Sequence, residues 1–355
     1  MAFSTAAGYG NLPNGNFSPI IYSKQVQLAF RKSTVIGDVT NSDYFGEIAN
    51  QGDTVKIIKE PEISVSAYAR GTQVSAQDLD DEDFTLIVDK ANYYAFKMDD
   101  IEEAHSHVNF MQLATDRAAH RLADQYDQEV LMYMTGNTQN ALHSNVISGT
   151  ASTDSGTVAV SAAGTDGILT DMELDASDFN SGSSGNSIVL VPRAGGATTH
   201  NTTTATTNPL TLIARMSRKL DQQNVDSQNR WMIVDPVFME LLKDEDSRLF
   251  QADWGGSGLR NGLVADNLHG FRVYMSNNLP VKGSGPTGTT STGSTHFGYV
   301  VAGHSSAIAT AEQLNKTESY RDPDSFADIV RGMHLYGRKI LRPEALVNAI
   351  YVSGV

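Results

Sequence analysis

The 355-residue chain contains no cysteine, which excludes disulfide staples and thiolate metal sites. No apolar run approaches the about 18 residues that a membrane-spanning helix needs. The first residues, Met1-Ala2-Phe3-Ser4, lack the basic-then-apolar order of a signal peptide. Positive charge is scarce. Against 41 Asp and Glu stand 26 Lys and Arg, a formal net charge of −15. So acidic a chain is repelled by nucleic acid, which argues against groove readers and duplex clamps. It leaves open a container whose wall must not stick to packed DNA.

Catalytic signatures are missing too. There is no Gly-x-x-x-x-Gly-Lys-Ser/Thr phosphate loop, no Gly-x-Ser-x-Gly elbow and no His-Glu-x-x-His. The glycine-rich run Gly255-Gly256-Ser257-Gly258 has no basic residue beside it until Arg260, and reads as a surface loop. The best ligand-like pair is Glu103 and His107, which share a helix face at i,i+4. Two such residues need at least one more ligand to hold a metal tightly. Helix-stabilising Glu–His pairing is the plain reading, so no metal, cofactor or catalytic residue is expected. Asp78, Asp80, Asp81, Glu82 and Asp83 crowd five carboxylates into six residues, without the glycine and spacing of an EF-hand loop. They read as a solvated acidic face or as a salt-bridge surface for a basic neighbour.

Hydrophobic content of 40% is enough for a sizeable core, in two or more subdomains at this length. Residues 1–20 are rich in Gly, Asn, Ser and Pro and read as an arm without a core of its own. Thr54–Ile58, Ile63–Tyr68 and Phe84–Val88 alternate as strands around a turn at Arg70-Gly71-Thr72, forming a protruding hairpin. A long amphipathic helix is expected over Met98–Met134. Asp100 and Glu103 have capping-box spacing, Ile101, Ala104, Val108, Met111, Ala118, Leu122, Tyr126, Val130 and Tyr133 lie at helical steps, and Gly136 is a stop. Asp116, Arg117, Arg121, Asp124 and Asp127 then fall on the polar side. Residues 137–208 are rich in Ser, Thr and Gly, with strands at Thr157–Val160 and Ile188–Val191. Asn208-Pro209 opens a helix to about Gln223, with Leu210, Ile213, Ala214 and Leu220 as its buried face. Trp231–Val234 is a buried strand and Asp235-Pro236 caps another helix. Leu268–Asn277 and Phe297–Thr310 are strands. Phe326–Ile340 is a long strand with glycines 332 and 337 at bulges, and Val347–Val352 is the last strand.

This order of elements resembles the major capsid protein of tailed bacteriophages, the Hong Kong 97-type capsid fold. Gly52-Asp53-Thr54-Val55-Lys56-Ile57 resembles the start of that family's extended loop. Leu86-Ile87-Val88-Asp89 through Lys97-Met98-Asp99-Asp100 resembles the return strand and the start of the spine helix. Trp231-Met232-Ile233-Val234-Asp235-Pro236 and Gly270-Phe271-Arg272-Val273-Tyr274-Met275 resemble the axial domain. Phe326-Ala327-Asp328-Ile329-Val330-Arg331-Gly332 and Arg342-Pro343-Glu344-Ala345-Leu346 resemble the closing part of the peripheral domain.

The resemblance implies an α+β fold. It would divide into an N-terminal arm (1–50), an extended β-hairpin loop (51–97), a spine helix of the peripheral domain (98–136), a β-rich peripheral elaboration or insertion (137–208), an axial domain (209–311) and closing strands of the peripheral domain (312–355). It implies a non-enzymatic shell subunit that forms hexamers and pentamers around double-stranded DNA without reading its sequence. A separate scaffolding protein, a portal and decoration proteins would be its partners. It would be located in the virion capsid and assembled in the host cytoplasm. Arg70, the Asp78–Asp83 carboxylates, Arg117, Arg121, Arg338 and Arg342 are candidate contacts between subunits. Two alternatives stand beside it: an encapsulin-like cellular compartment, and an enzyme or carbohydrate-binding protein with a Ser/Thr-rich β-domain.

Overall fold

The computed structural model describes residues 34–43, 54–58, 63–71, 73, 76–77, 83–99, 110–135, 172–174, 178, 188–190, 206–243, 267–280 and 297–353. Among them the two-residue period of 83–99 is carried through as one long strand. Leu86, Val88 and Asn92 face inward while Ile87 and Tyr93 face water. This strand, β2 (Asp83–Asp99), pairs antiparallel with β1 (Thr54–Ile58), Thr54 opposite Ile87 and Ile58 opposite Asp83. The base of the expected hairpin is therefore present. Its far part differs: Ile63–Tyr68 runs exposed without joining a ladder, and Gly71 (φ +93°) makes the turn.

The other side of β2 pairs with β11 (Ala327–Ile340), which pairs in turn with β10 (Ile308–Arg321). The result is a four-stranded antiparallel sheet, β1-β2-β11-β10. Its register against β2 shifts between Tyr336 and Gly337, so Gly337 does sit at an irregularity. Gly332 does not. It is regularly paired, and a Cβ there would lie 2.4 Å from the Tyr94 ring, so its bareness makes room for an aromatic.

A second sheet gathers eight strands. β3 (Glu173–Leu174), β4 (Ile188–Leu190) and β5 (Thr206–Thr207) join β6 (Arg230–Val234), β7 (Asn267–Leu268), β8 (Phe271–Met275), β9 (Phe297–His304) and β12 (Leu346–Ser353). The order is β5-β4-β12-β9-β6-β8-β7, with β3 also on β12. Three details depart from the sequence pattern. Leu268–Asn277 is not one strand. His269 and Gly270 both take positive φ (+51° and +87°), the conformation of a two-residue hairpin turn between β7 and β8. Phe297–Thr310 is likewise two strands, β9 and the start of β10, which lie in different sheets. And β12, grouped with β11 among the closing strands by the resemblance, pairs with β9, β3 and β4. The strand expected at Thr157–Val160 lies outside the described residues.

Four α-helices are described. α1 (Ile36–Val39) is one turn. α2 spans Phe110–Thr135, 26 residues and about 39 Å at 1.5 Å per residue. The expectation that this helix starts at Met98 is wrong. Met98 and Asp99 are strand, paired with Asp328 and Ala327. Ladder pairing and strand alternation outweigh the local capping pattern. Asp100, Glu103 and Gly136 lie outside the described residues. The polar side is also misplaced, because Asp124 and Asp127 are buried along with Glu129–Met132, Met134 and Thr135. Towards its C-terminal end this helix is covered on every side.

α3 (Pro209–Gln222) starts as its sequence says, Asn208 Oδ1 accepting from Thr211 N at 2.8 Å. Its buried face is Pro209, Leu212, Ile213, Met216 and Leu220, whereas Leu210 is half-buried and Ala214 exposed. α4 (Pro236–Lys243) is capped by Asp235, whose Oδ1 accepts from Phe238 N at 3.0 Å and from the Tyr351 hydroxyl. The α3 and α4 faces, the second sheet, α1 and the end of α2 share one hydrophobic core. A smaller cluster of Leu86, Val88, Ala309, Ala311 and Leu341 underlies the first sheet.

Candidate assembly surface

What could do chemistry here is sparse. Among the described residues no three His, Asp or Glu side chains gather as metal ligands. Glu103 and His107 lie outside them, as do Asp78, Asp80, Asp81 and Glu82. No helix among the described residues is long and apolar enough to cross a membrane.

Apolar exposure is the stronger feature. On the extension beyond β1, Ile63, Val65 and Tyr68 are 71%, 97% and 68% exposed. They belong to an extended stretch whose Ser64 N and Oγ both donate to Gln77 Oε1, at 3.0 and 2.9 Å, tying the two sides of the loop together. Arg70 is exposed at its turn. The first sheet has one face against α2 and the other in water. The inner face holds Tyr126 edge-on to His334 and Tyr336, with ring centroids 5.2 and 4.9 Å away. Burial there pushes the Tyr126 hydroxyl up to about 12 and the Tyr336 hydroxyl higher still.

The outer face carries Tyr93, Met333 and Tyr320 in neighbouring strands. Between them Arg331 donates to Glu318 at 2.9 Å and lies over the Tyr320 ring at 5.0 Å, and Lys316 also reaches Glu318. These cations hold the Glu318 carboxyl below its usual range, Lys316 first and Arg331 second. At the end of the sheet the β10–β11 turn is fastened by Asp322, which accepts from Lys97 Nζ and Ser325 Oγ, both at 2.6 Å. Its carboxyl is drawn down to about 2, by Lys97 above all. Beside that charged turn Phe326 is 80% exposed. Exposed ion pairs of this kind are screened by water and contribute little to monomer stability.

The candidate contact residues divide. Arg70, Arg117, Arg121 and Arg342 are exposed. Arg338 is not: its guanidinium donates to Glu129 O at 2.7 Å and Glu129 Oε2 at 3.2 Å, with both side chains out of water. It is an internal tie between β11 and α2 and is withdrawn as a contact. The sequence reading missed this pair, as it missed Asp124 and Asp127. The available signal was Val130-Leu131-Met132-Tyr133-Met134, an apolar run with no polar side. A helix hydrophobic all round is buried, and so are carboxylates one turn before it.

No family model and no curated protein matches the chain. Solved structures do, over nearly its whole length. The chain is similar to a structure of Mycobacterium phage Che8 at 26% identity and TM-score 0.66, covering 94% of this chain and 97% of that one. A capsid structure of the cyanophage P-SCSP1u matches at 16% identity and TM-score 0.62, covering 99% and 100%. The mature capsid of bacteriophage PhiM1 matches at 15% and 0.59, covering 93% and 91%. The chain has the fold of phage capsid proteins.

Proposed function

We propose that this chain is the repeating subunit of an icosahedral phage capsid, a structural protein whose work is self-assembly. The single observation that carries the reading is the projecting β1–β2 extension with Ile63, Val65 and Tyr68 almost bare to water. A monomer gains nothing from such groups, whereas a neighbour that covers them gains roughly 1.5–3 kcal/mol for each side chain fully buried. Repeated around a shell, modest contacts of this size add up to a stable container.

The finer reading is of the Hong Kong 97 type. The extension would be the loop that reaches over an adjacent subunit, α2 the spine, and the second sheet with α3 and α4 the axial body. Arg70, Arg117, Arg121 and Arg342 are proposed contact residues. Hexamers and pentamers, a separate scaffolding protein, a portal and decoration proteins belong to the same proposal. So do assembly in the host cytoplasm and an acidic wall along which enclosed DNA slides without being read.

Electron microscopy of the purified, concentrated protein beside light scattering tests this. Closed shells, tubes or rings are expected, and Val65→Asp should abolish them while leaving the circular dichroism spectrum unchanged. A stable 38.3 kDa monomer that never assembles, even with the products of neighbouring genes, would sink the proposal.

A further inference from the structure

Twice, at adjoining points, the chain passes directly from one sheet to the other. β9 ends at His304 and β10 begins at Ile308, while β11 ends at Ile340 and β12 begins at Leu346. One carbonyl stitches the two crossings together: Ala307 O accepts from Leu341 N at 2.9 Å and from Arg342 N at 3.2 Å. They are tightly packed as well, since a Cβ on Gly303 would stand 2.9 Å from the Ala345 carbonyl oxygen. Ala307 is placed by a turn in which its N–H donates to His304 O at 2.9 Å, and the His304 side chain braces that turn. His304 Nδ1 accepts from Ser306 N at 3.2 Å and lies 2.8 Å from Ser306 Oγ. Asn and Asp side chains make the same bond to a backbone two residues on, and here an imidazole makes it. The ring is half-buried. Around it stand Asp226 and Gln228 of the segment before β6, Arg230 of β6, itself paired with Asp221 at 2.8 Å, and the exposed Arg342.

We propose that His304 is a proton-operated latch on this joint: the neutral ring holds the turn shut, and protonation releases Ser306 N and loosens the stitch between the two crossings. The direction follows from the donors. A backbone N–H can only donate, so Nδ1 holds Ser306 N only while it carries no proton itself. A protonated Nδ1 sets donor against donor, and of its two partners only the Ser306 hydroxyl can reverse its role and accept. Burial acts in the same sense, as do the Arg342 and Arg230 charges, against Asp226 and the Gln228 backbone, and the ring is held below the ordinary histidine range. A histidine that resists protonation in the folded chain contributes fully above its ordinary value of 6.5, and its contribution is lost as pH falls through the lower folded value. The joint is therefore firm at neutral pH and loosens on the acid side of 6.5.

NMR titration of the His304 ring, beside amide hydrogen exchange at Leu341 and Arg342 corrected for the intrinsic rate, tests this in the full chain from about pH 7.5 to about pH 5. The ring should titrate with a midpoint below 6.5. Protection of Leu341 and Arg342 should fall about two- to tenfold through the same midpoint, the worth of one neutral hydrogen bond. Thr211 N, which is capped by Asn208 on α3, should keep its protection. His304→Asn supplies an amide oxygen that accepts from Ser306 N and does not titrate, so it should stay at the neutral level of protection at every pH. His304→Leu, with no acceptor, should show the acid level throughout. A ring midpoint at or above 6.5, protection at Leu341 and Arg342 that stays flat, or an equal fall at Thr211 would each overturn the proposal, and none of these readouts needs a variant to fold. So would a His304→Asn chain that loses protection with acid as the wild type does.

Discussion

Removing the guanidinium of Arg338 should cost this protein a large part of its stability, and restoring charge balance should return most of it. Arg338 makes two hydrogen bonds to Glu129, one to its carbonyl and one to its carboxylate, and lies over the Tyr133 ring at 5.0 Å. The side chains are 3% and 0% exposed, so neither charge can recover water by a small movement. Arg338→Met leaves the Glu129 carboxylate buried without its cation, a loss of about 3–5 kcal/mol. That is a drop of about a thousandfold in the folding equilibrium constant, at 1.4 kcal/mol per factor of ten. Arg338→Met with Glu129→Gln removes both charges and keeps the volume, and should lie within about 1–2 kcal/mol of wild type. Gln125 Nε2 donates to Glu129 Oε1 at 3.4 Å and can donate as well to the amide oxygen that replaces it. Urea unfolding of unassembled subunits followed by far-ultraviolet circular dichroism would measure the cycle. A single variant costing under about 1 kcal/mol, or a double variant worse than the single, would refute the claim that an uncompensated charge sets the loss.

The two sheet glycines should respond unequally. At Gly337 an added Cβ would lie 2.4 Å from the Ile87 carbonyl oxygen, part of the neighbouring backbone, whereas at Gly332 it would meet the Tyr94 ring, a half-buried side chain that can turn. Gly337→Ala should cost about 1–3 kcal/mol and Gly332→Ala measurably less in the same unfolding assay, and equal losses would contradict this reading. The β10–β11 turn should loosen only in strong acid. Asp322 is drawn down to about 2, so its contribution is complete above the ordinary carboxylate range and is lost as pH falls through about 2. An NMR titration of Ser325 and Phe326 would follow the change, and Lys97→Ala should move the midpoint up. A wild-type midpoint near 4 would contradict the assignment.

The legible parts of this fold are those where local chemistry and tertiary demand agree. Asn208 is a good cap before a proline and an apolar face, and it caps. Trp231–Val234 is apolar throughout and forms the middle of a sheet. The turn at Gly71 is where its glycine says. Reading failed where distant pairing decided the outcome. Met98 and Asp99 look like a helix start, yet β11 takes them as strand. Ser305 and Ser306 give no strong breaking signal, so the passage from β9 to β10, from one sheet to another, reads as one continuous strand. Asp127 and Arg338 look like surface charges because their partners, Val35, Ile36, Asn278 and Glu129, lie far away in sequence. The candidate surface was half legible. The alternation Ile63, Val65 marked an extended segment, but only its projection away from the body shows that both faces are bare.

The pairing of β2 with β11 has a consequence for timing. Asn92 and Tyr336, whose side chains hydrogen-bond across that ladder, are separated by 244 positions. At a synthesis rate of about 5–20 residues per second, β2 waits roughly 10–50 s on the ribosome before β11 exists to receive it. Loops of that length also close slowly, and the first sheet is among the last structures to be completed. The face bearing Tyr93, Met333 and Tyr320 is assembled from strands far apart in the chain, so it does not exist until β11 has been made. Its appearance is thereby timed by the strand order itself.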